Sequence, residues 1–184
     1  MKLTEEKIKA WKEAHGEIQL IETDDGKQAV IWTPTQSLNV MKQVITALQQ
    51  SEYDAVEVVL NNCLIEGDDL TGDAHVMGIS KQIISLTVLP TAEIIQGNGH
   101  EIIHVPQKNF KAKVRKVNRG DVEFSSEKNG KRVPFETNIS ILKRIWKDTE
   151  KKYTEVLNDD RLHMAMLSVV DELKEENEAK IKKL

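Results

Sequence analysis

"GNGHEIIHVP", residues 97–106, is the stretch on which the fold reading turns. At its centre His100-Glu101-Ile102-Ile103-His104 fits the H-E-x-x-H pattern of zinc hydrolases. On an α-helix, His100 and His104 would stand four residues apart on one face. They could then hold one zinc ion while Glu101 activated a metal-bound water. The flanks oppose a helix. Pro106 lacks an N–H and pushes Val105 toward an extended conformation, and Gly97 and Gly99 leave room for barely two turns. No third ligand has an assigned place; Glu123, Glu127 and His163 are merely available.

A strand accommodates the same residues without conflict. "AEIIQ" (92–96) and "EIIHV" (101–105) flank "GNGH", which is hairpin-turn chemistry. On a strand His100, Ile102 and His104 share one face, and Glu101, Ile103 and Val105 the other. The two imidazoles are then too far apart for one zinc. We therefore expect a β-hairpin here, with no bound metal or cofactor and no catalysis. A zinc hydrolase built on His100, Glu101 and His104 is the third of three functional readings.

Working outward, periodicity separates a β-rich segment from helical flanks. In "NFKAKVRKV" (109–117), Phe110, Ala112 and Val114 alternate with Lys111, Lys113 and Arg115, which predicts a strand with one buried and one basic face. "NRGD" and "EKNGKR" read as turns, and "VEFSS" and "RVPFET" as short strands. The interval 91–138 is accordingly expected to be a small antiparallel β module inserted between helices.

Before it, Thr4 caps a helix running to about His15, with Gly16 as its stop. Asp25-Gly26 marks the turn of a hairpin ending at Pro34. Ser37 and Ser51 cap two further helices, and a third begins at Asp73 and stops before Pro90. Met41 and Met77 read as core filler. After the module, Leu142, Ile145, Trp146, Tyr153, Val156 and Leu157 form an apolar stripe, and Asp159 or Asp160 caps a last helix. The expected organisation is a helix–hairpin–helices core over 1–90, the basic module over 91–138, and C-terminal helices over 139–184 packing on the core. The fold class is α+β.

The chain has 184 residues, 39% hydrophobic and 30% charged, enough for one good core or a core with a small subdomain. No run of 18 apolar residues occurs, so no transmembrane helix and no membrane partner are expected. The N-terminal "MKLTEEKIKAWKE" lacks the apolar centre of a signal peptide, so the chain is expected to stay in the cell that makes it. The single cysteine, Cys63, excludes an internal disulfide and reads as a small buried hydrophobe. Neither a P-loop, a G-x-G-x-x-G nor a G-x-S-x-G is present. Glu66, Asp68, Asp69 and Asp73 lack the spacing of an EF-hand loop and read as solvated. Arg119-Gly120-Asp121 is a three-letter match to an adhesion motif, without the secretion signal adhesion would need.

The net charge of −4 conceals an asymmetry: residues 1–100 hold seven Lys/Arg against fifteen Asp/Glu, while residues 101–152 hold fourteen against seven. Lys111, Lys113, Arg115, Arg119, Lys128, Lys131 and Arg132 are the candidate residues of one basic partner-binding surface. Such a surface could neutralise phosphates of a nucleic acid. The few aromatics there, Phe110, Phe124, Phe135 and Trp146, give no evident stacking platform. Docking of acidic protein surfaces, including those of identical neighbours, accounts for the same charges.

"LTEEKIKAWKEAHGEIQLIETDDGKQAVIWTP" (3–34) and "VVLNNCLIEGDD" (58–69) carry a resemblance. Their helix, glycine and hairpin, followed by an L-x-N-C helix before a Gly-Asp loop, resemble small proteins from the structural-gene regions of tailed bacteriophages of gut bacteria. Leu64 stands where that pattern has Trp. The resemblance covers about residues 3–90 and implies a virion accessory protein or tail-assembly chaperone. It further implies a place in the virion or the host cytoplasm, and phage structural proteins or further copies of itself as partners. Its motifs are structural, so no catalytic residue is carried over. The favoured function is non-enzymatic assembly through protein–protein contacts, and the runner-up is nucleic-acid binding through the basic module.

Overall fold

The computed structural model describes residues 2–127 and 134–175. The chain is α+β, with two three-stranded antiparallel sheets among helices, and it divides at Val88/Leu89 into two compact units.

In the N-terminal unit, α1 (Glu5–His15) opens on Thr4, whose hydroxyl accepts the Lys7 N–H, and closes on Gly16 in a left-handed conformation. Strands β1 (Ile18–Glu22) and β2 (Gln28–Trp32) form the expected hairpin, with Ile18 opposite Trp32 and Glu22 opposite Gln28. Helices α2 (Leu38–Leu48), α3 (Glu52–Cys63) and α4 (Asp73–Ser85) follow, the first two capped by the hydroxyls of Ser37 and Ser51. Ala29 and Ile31 of β2 meet Val44, Val56, Val59, Cys63 and Ile83 of these helices in one fully buried cluster.

"LIEG", expected to lead into an acidic loop, is instead a third strand, β3 (Leu64–Gly67), on the other side of β2. Gly67 makes this pairing possible. Its φ is +133°, and a Cβ there would stand 2.3 Å from the Gln28 carbonyl oxygen. Met77 also departs from expectation: it is 62% exposed, on the side of α4 turned away from the cluster, whereas Met41 is buried.

In the C-terminal unit, β4 (Glu93–Gln96), β5 (Glu101–Val105) and β6 (Phe110–Val114) form the second sheet. "HEIIH" therefore lies at a hairpin turn and along a strand, as its flanks predict. Two further parts of the expected β module are helical. Residues read as turn and strand form α5 (Arg119–Glu127), and residues 134–137, the described part of "RVPFET", open α6 (Pro134–Ile145). Two local signals explain this. Asn118 Oδ1 accepts the Asp121 N–H while Asp121 Oδ2 accepts the Asn118 N–H, a reciprocal helix cap. Pro134 occupies the first position of α6, where a missing N–H leaves nothing unpaired.

The short α7 (Tyr153–Val156) precedes α8 (Asp160–Ser168), which Asp159 caps, and α9 (Val170–Glu175) continues beyond a break at Val169. The expected boundary at 138 is absent. Helices α6, α8 and α9 pack together, and α8 packs against β5. Ile103, Val105, Ala112 and Val114 of the sheet and Ile141, Leu142, Ile145, Met164 and Met166 of the helices are all buried. The C-terminal helices thus close over the second sheet within this unit. Leu157, placed in the apolar stripe, is 45% exposed.

Candidate interaction surface

The second sheet has one covered face and one open face. Glu101, Ile103 and Val105 of β5 and Ala112 and Val114 of β6 point into the covered side. The open side carries two cross-strand rows, Glu93–His104–Lys111 and Ile95–Ile102–Lys113. Lys111 and Lys113 are exposed, as the alternation predicts, and neither is in an ion pair among the described residues.

The edge of β6 is finished by residues after α6. Val114 bridges Trp146, the Arg115 N–H donates to the Ile145 carbonyl, and the Lys147 N–H donates to the Lys113 carbonyl at 3.0 Å. Lys147, also exposed, therefore sits directly opposite Lys113. Like charges directly opposite on a sheet repel. Asp148 buttresses this edge from the backbone side, its carboxylate accepting the N–H groups of Lys113, Glu150 and Lys151. Burial works against its ionisation, but those three N–H groups hold the carboxyl below its ordinary value. Lys151 donates to the Lys111 carbonyl and lies over the Phe110 ring, 4.5 Å from its centre.

Arg115 and Arg119 are engaged with carboxylates of their own unit. Arg115 makes a bidentate pair with Asp121, at 2.6 and 2.7 Å, and Asp121 is 1% exposed. Arg144 reaches the same carboxylate at 3.1 Å and lies over Phe124. The Arg115 guanidinium, helped by Asn118 and Arg144, holds the Asp121 carboxyl far below the usual carboxylate range against the opposing effect of burial. Arg115 is thus a structural clamp between the end of β6 and α5. Arg119 is exposed but pairs with Glu123 one turn along α5. Lys128, Lys131 and Arg132 lie outside the described residues.

Lys111 and Lys113 are exposed as the alternation predicts, while Lys147, Ile95 and Ile102 of the same face were not among the expected surface residues. Strand alternation marks the first two locally. Lys147 reaches Lys113 through a pairing across 34 positions, which no local pattern announces.

The histidines of residues 100–104 have separate local partners. His100 Nδ1 lies 3.0 Å from the Asn98 carbonyl and His104 Nδ1 2.7 Å from Glu93 Oε1. Glu101 is 1% exposed on the opposite face from His104, near the Lys116 ammonium. The helical His–Glu–His arrangement of a metallohydrolase is not formed. Among the described residues no group of three or more His, Cys, Asp or Glu side chains is placed to hold a metal ion. Cys63 is fully buried and its thiol is pushed up to about 12 by burial, which makes it a poor nucleophile. Among the described residues no helix is long and apolar enough to cross a membrane.

No protein-family model, curated protein or solved structure matches the chain.

Proposed function

We propose that this is a non-enzymatic assembly protein that works through protein–protein contacts, docking an acidic protein surface on the open face of its second sheet. One observation carries the reading: Lys111, Lys113 and Lys147 border the half-exposed Ile95 and Ile102 on one face. A partner offering carboxylates beside apolar side chains would relieve the Lys113–Lys147 repulsion and cover the isoleucines. Charge of this kind steers and orients a partner more than it supplies affinity. The proposed setting is the structural or assembly apparatus of a tailed phage, in line with the resemblance of residues 3–90.

The test follows the chain into particles. Mass spectrometry of purified phage particles and of their assembly intermediates should detect the parent chain in one or both. A folded Lys111→Glu/Lys113→Glu variant should be depleted from them at least tenfold. Normal incorporation of that variant, with a duplex DNA probe shifted by the parent alone, would transfer the function to nucleic-acid binding.

A further inference from the structure

Among the described residues the first sheet ends at β1, whose outer edge pairs with no further strand. Its ladder bonds to β2 are phased by the flanking pairs, in which the Thr33 N–H donates to the Glu17 carbonyl and the Thr23 N–H to the Lys27 carbonyl. Odd-numbered residues of β1 therefore bond to β2, and Ile18, Leu20 and Glu22 direct their N–H and C=O groups to the outer edge. Such an edge is a template for another strand.

Beside this edge lies a groove of about 670 Å³, walled by β1 and the turn after it on one side and by α4 on the other. Ile21, Ile79, Ile83 and Leu86 supply its apolar lining. Gly78 opens it further: a Cβ built there would meet nothing within 4 Å. The charged lining is one-sided. Glu22, Asp24 and Asp25 border the groove with His75, and among the described residues no Lys or Arg does. His75 pairs with Asp25 at 2.9 Å, and Glu22 accepts only the neutral Gln28 amide. The Thr23 hydroxyl and the His75 imidazole hold Asp25 at about 2, so it is ionised throughout the neutral range.

We propose that this groove docks an extended, Lys- or Arg-bearing segment of a partner protein, which adds to β1 as a fourth strand. The outward backbone groups of Leu20 and Glu22 supply main-chain hydrogen bonds. The apolar lining takes alternate side chains, and Glu22, Asp24 and Asp25 meet the partner's cations. The site uses residues and a charge sign distinct from those of the second sheet, so either surface can fail without the other.

Two capped octapeptides serve as probes, one alternating lysine with valine and the other glutamate with valine. Amide exchange is followed by NMR on the full chain. The lysine peptide should slow exchange of the Leu20 and Glu22 N–H groups at least tenfold, and the glutamate peptide should not. Leu20→Pro removes one outward N–H without touching the β2 ladder and should abolish the effect. Gly78→Arg, which projects a cation into open groove space, should abolish it too and guards against misfolding of the first variant. No slowing at millimolar lysine peptide, or equal slowing by both peptides, would overturn the proposal. Slowing that grows with protein concentration alone, alongside a doubled mass, would also overturn it by assigning the edge to a second copy.

Discussion

Asp121 shows how one buried carboxylate decides what its neighbours are free to do. It caps α5 through Asn118 and receives Arg115 and Arg144, so it locks three segments of the C-terminal unit together. Replacing it by Asn removes the charge that both guanidinium groups require. We expect a loss of ~2–3 kcal/mol, moderated because both arginines retain access to water. Arg115→Glu should destabilise more, since it sets a second carboxylate against the first; denaturant midpoints of both variants check the order. The pH dependence has a fixed sign. The folded-state pKa of Asp121 lies below that of the unfolded chain, so its contribution is complete above the ordinary carboxylate value, about 4. It is lost as the pH falls from there through the folded value. Acid unfolding of Asp121→Asn should therefore be less steep below pH 4 than that of the parent.

At the scale of elements, the reciprocal cap at Asn118 is the feature that converts an expected turn and strand into α5. Asn118→Ala should lower stability by about 1 kcal/mol, read from the thermal transition. The strand at 101–105 carries its own prediction. Metal analysis of protein purified without chelator should find far less than one zinc per chain. Stoichiometric zinc that disappears on His100→Ala/His104→Ala would contradict the separate partners found for those rings. These elements also show how far the sequence was readable. Thr4, Ser37, Ser51 and Asp159 announce helix starts because a cap acts within three residues, and Asp25-Gly26 announces a hairpin for the same reason. β3 leaves no local signal because Leu64, Glu66 and Gly67 pair with β2 across 33 to 38 positions. Residues 119–127 were misread because turn-like letters outweighed an Asn-x-x-Asp capping pattern that was present. The candidate surface was half legible: alternation exposed Lys111 and Lys113, whereas the capture of Arg115 by Asp121 depends on where α5 folds.

For the whole molecule, the two compact units differ in charge: residues 1–88 hold seven Lys/Arg against fourteen Asp/Glu, and residues 89–184 nineteen against sixteen. Val59, fully buried at the centre of the first core, tests that unit: Val59→Asp buries an unpaired carboxylate and should cost about 3–5 kcal/mol. Retention of the parent's thermal transition would mean that α3 presents a different face. In the second unit, the proposed function turns on exposed cations, and exposed charge of this kind is screened by salt. The proposed docking requires that Lys111 and Lys113 meet protein. A photo-cross-linking residue placed at Lys113 in the full chain, activated in cells assembling the particle, tests it directly. Adducts should concentrate in acidic segments of one protein partner and be lost when Lys111→Glu is added. Adducts confined to nucleic acid, or protein adducts unchanged by Lys111→Glu, would contradict it.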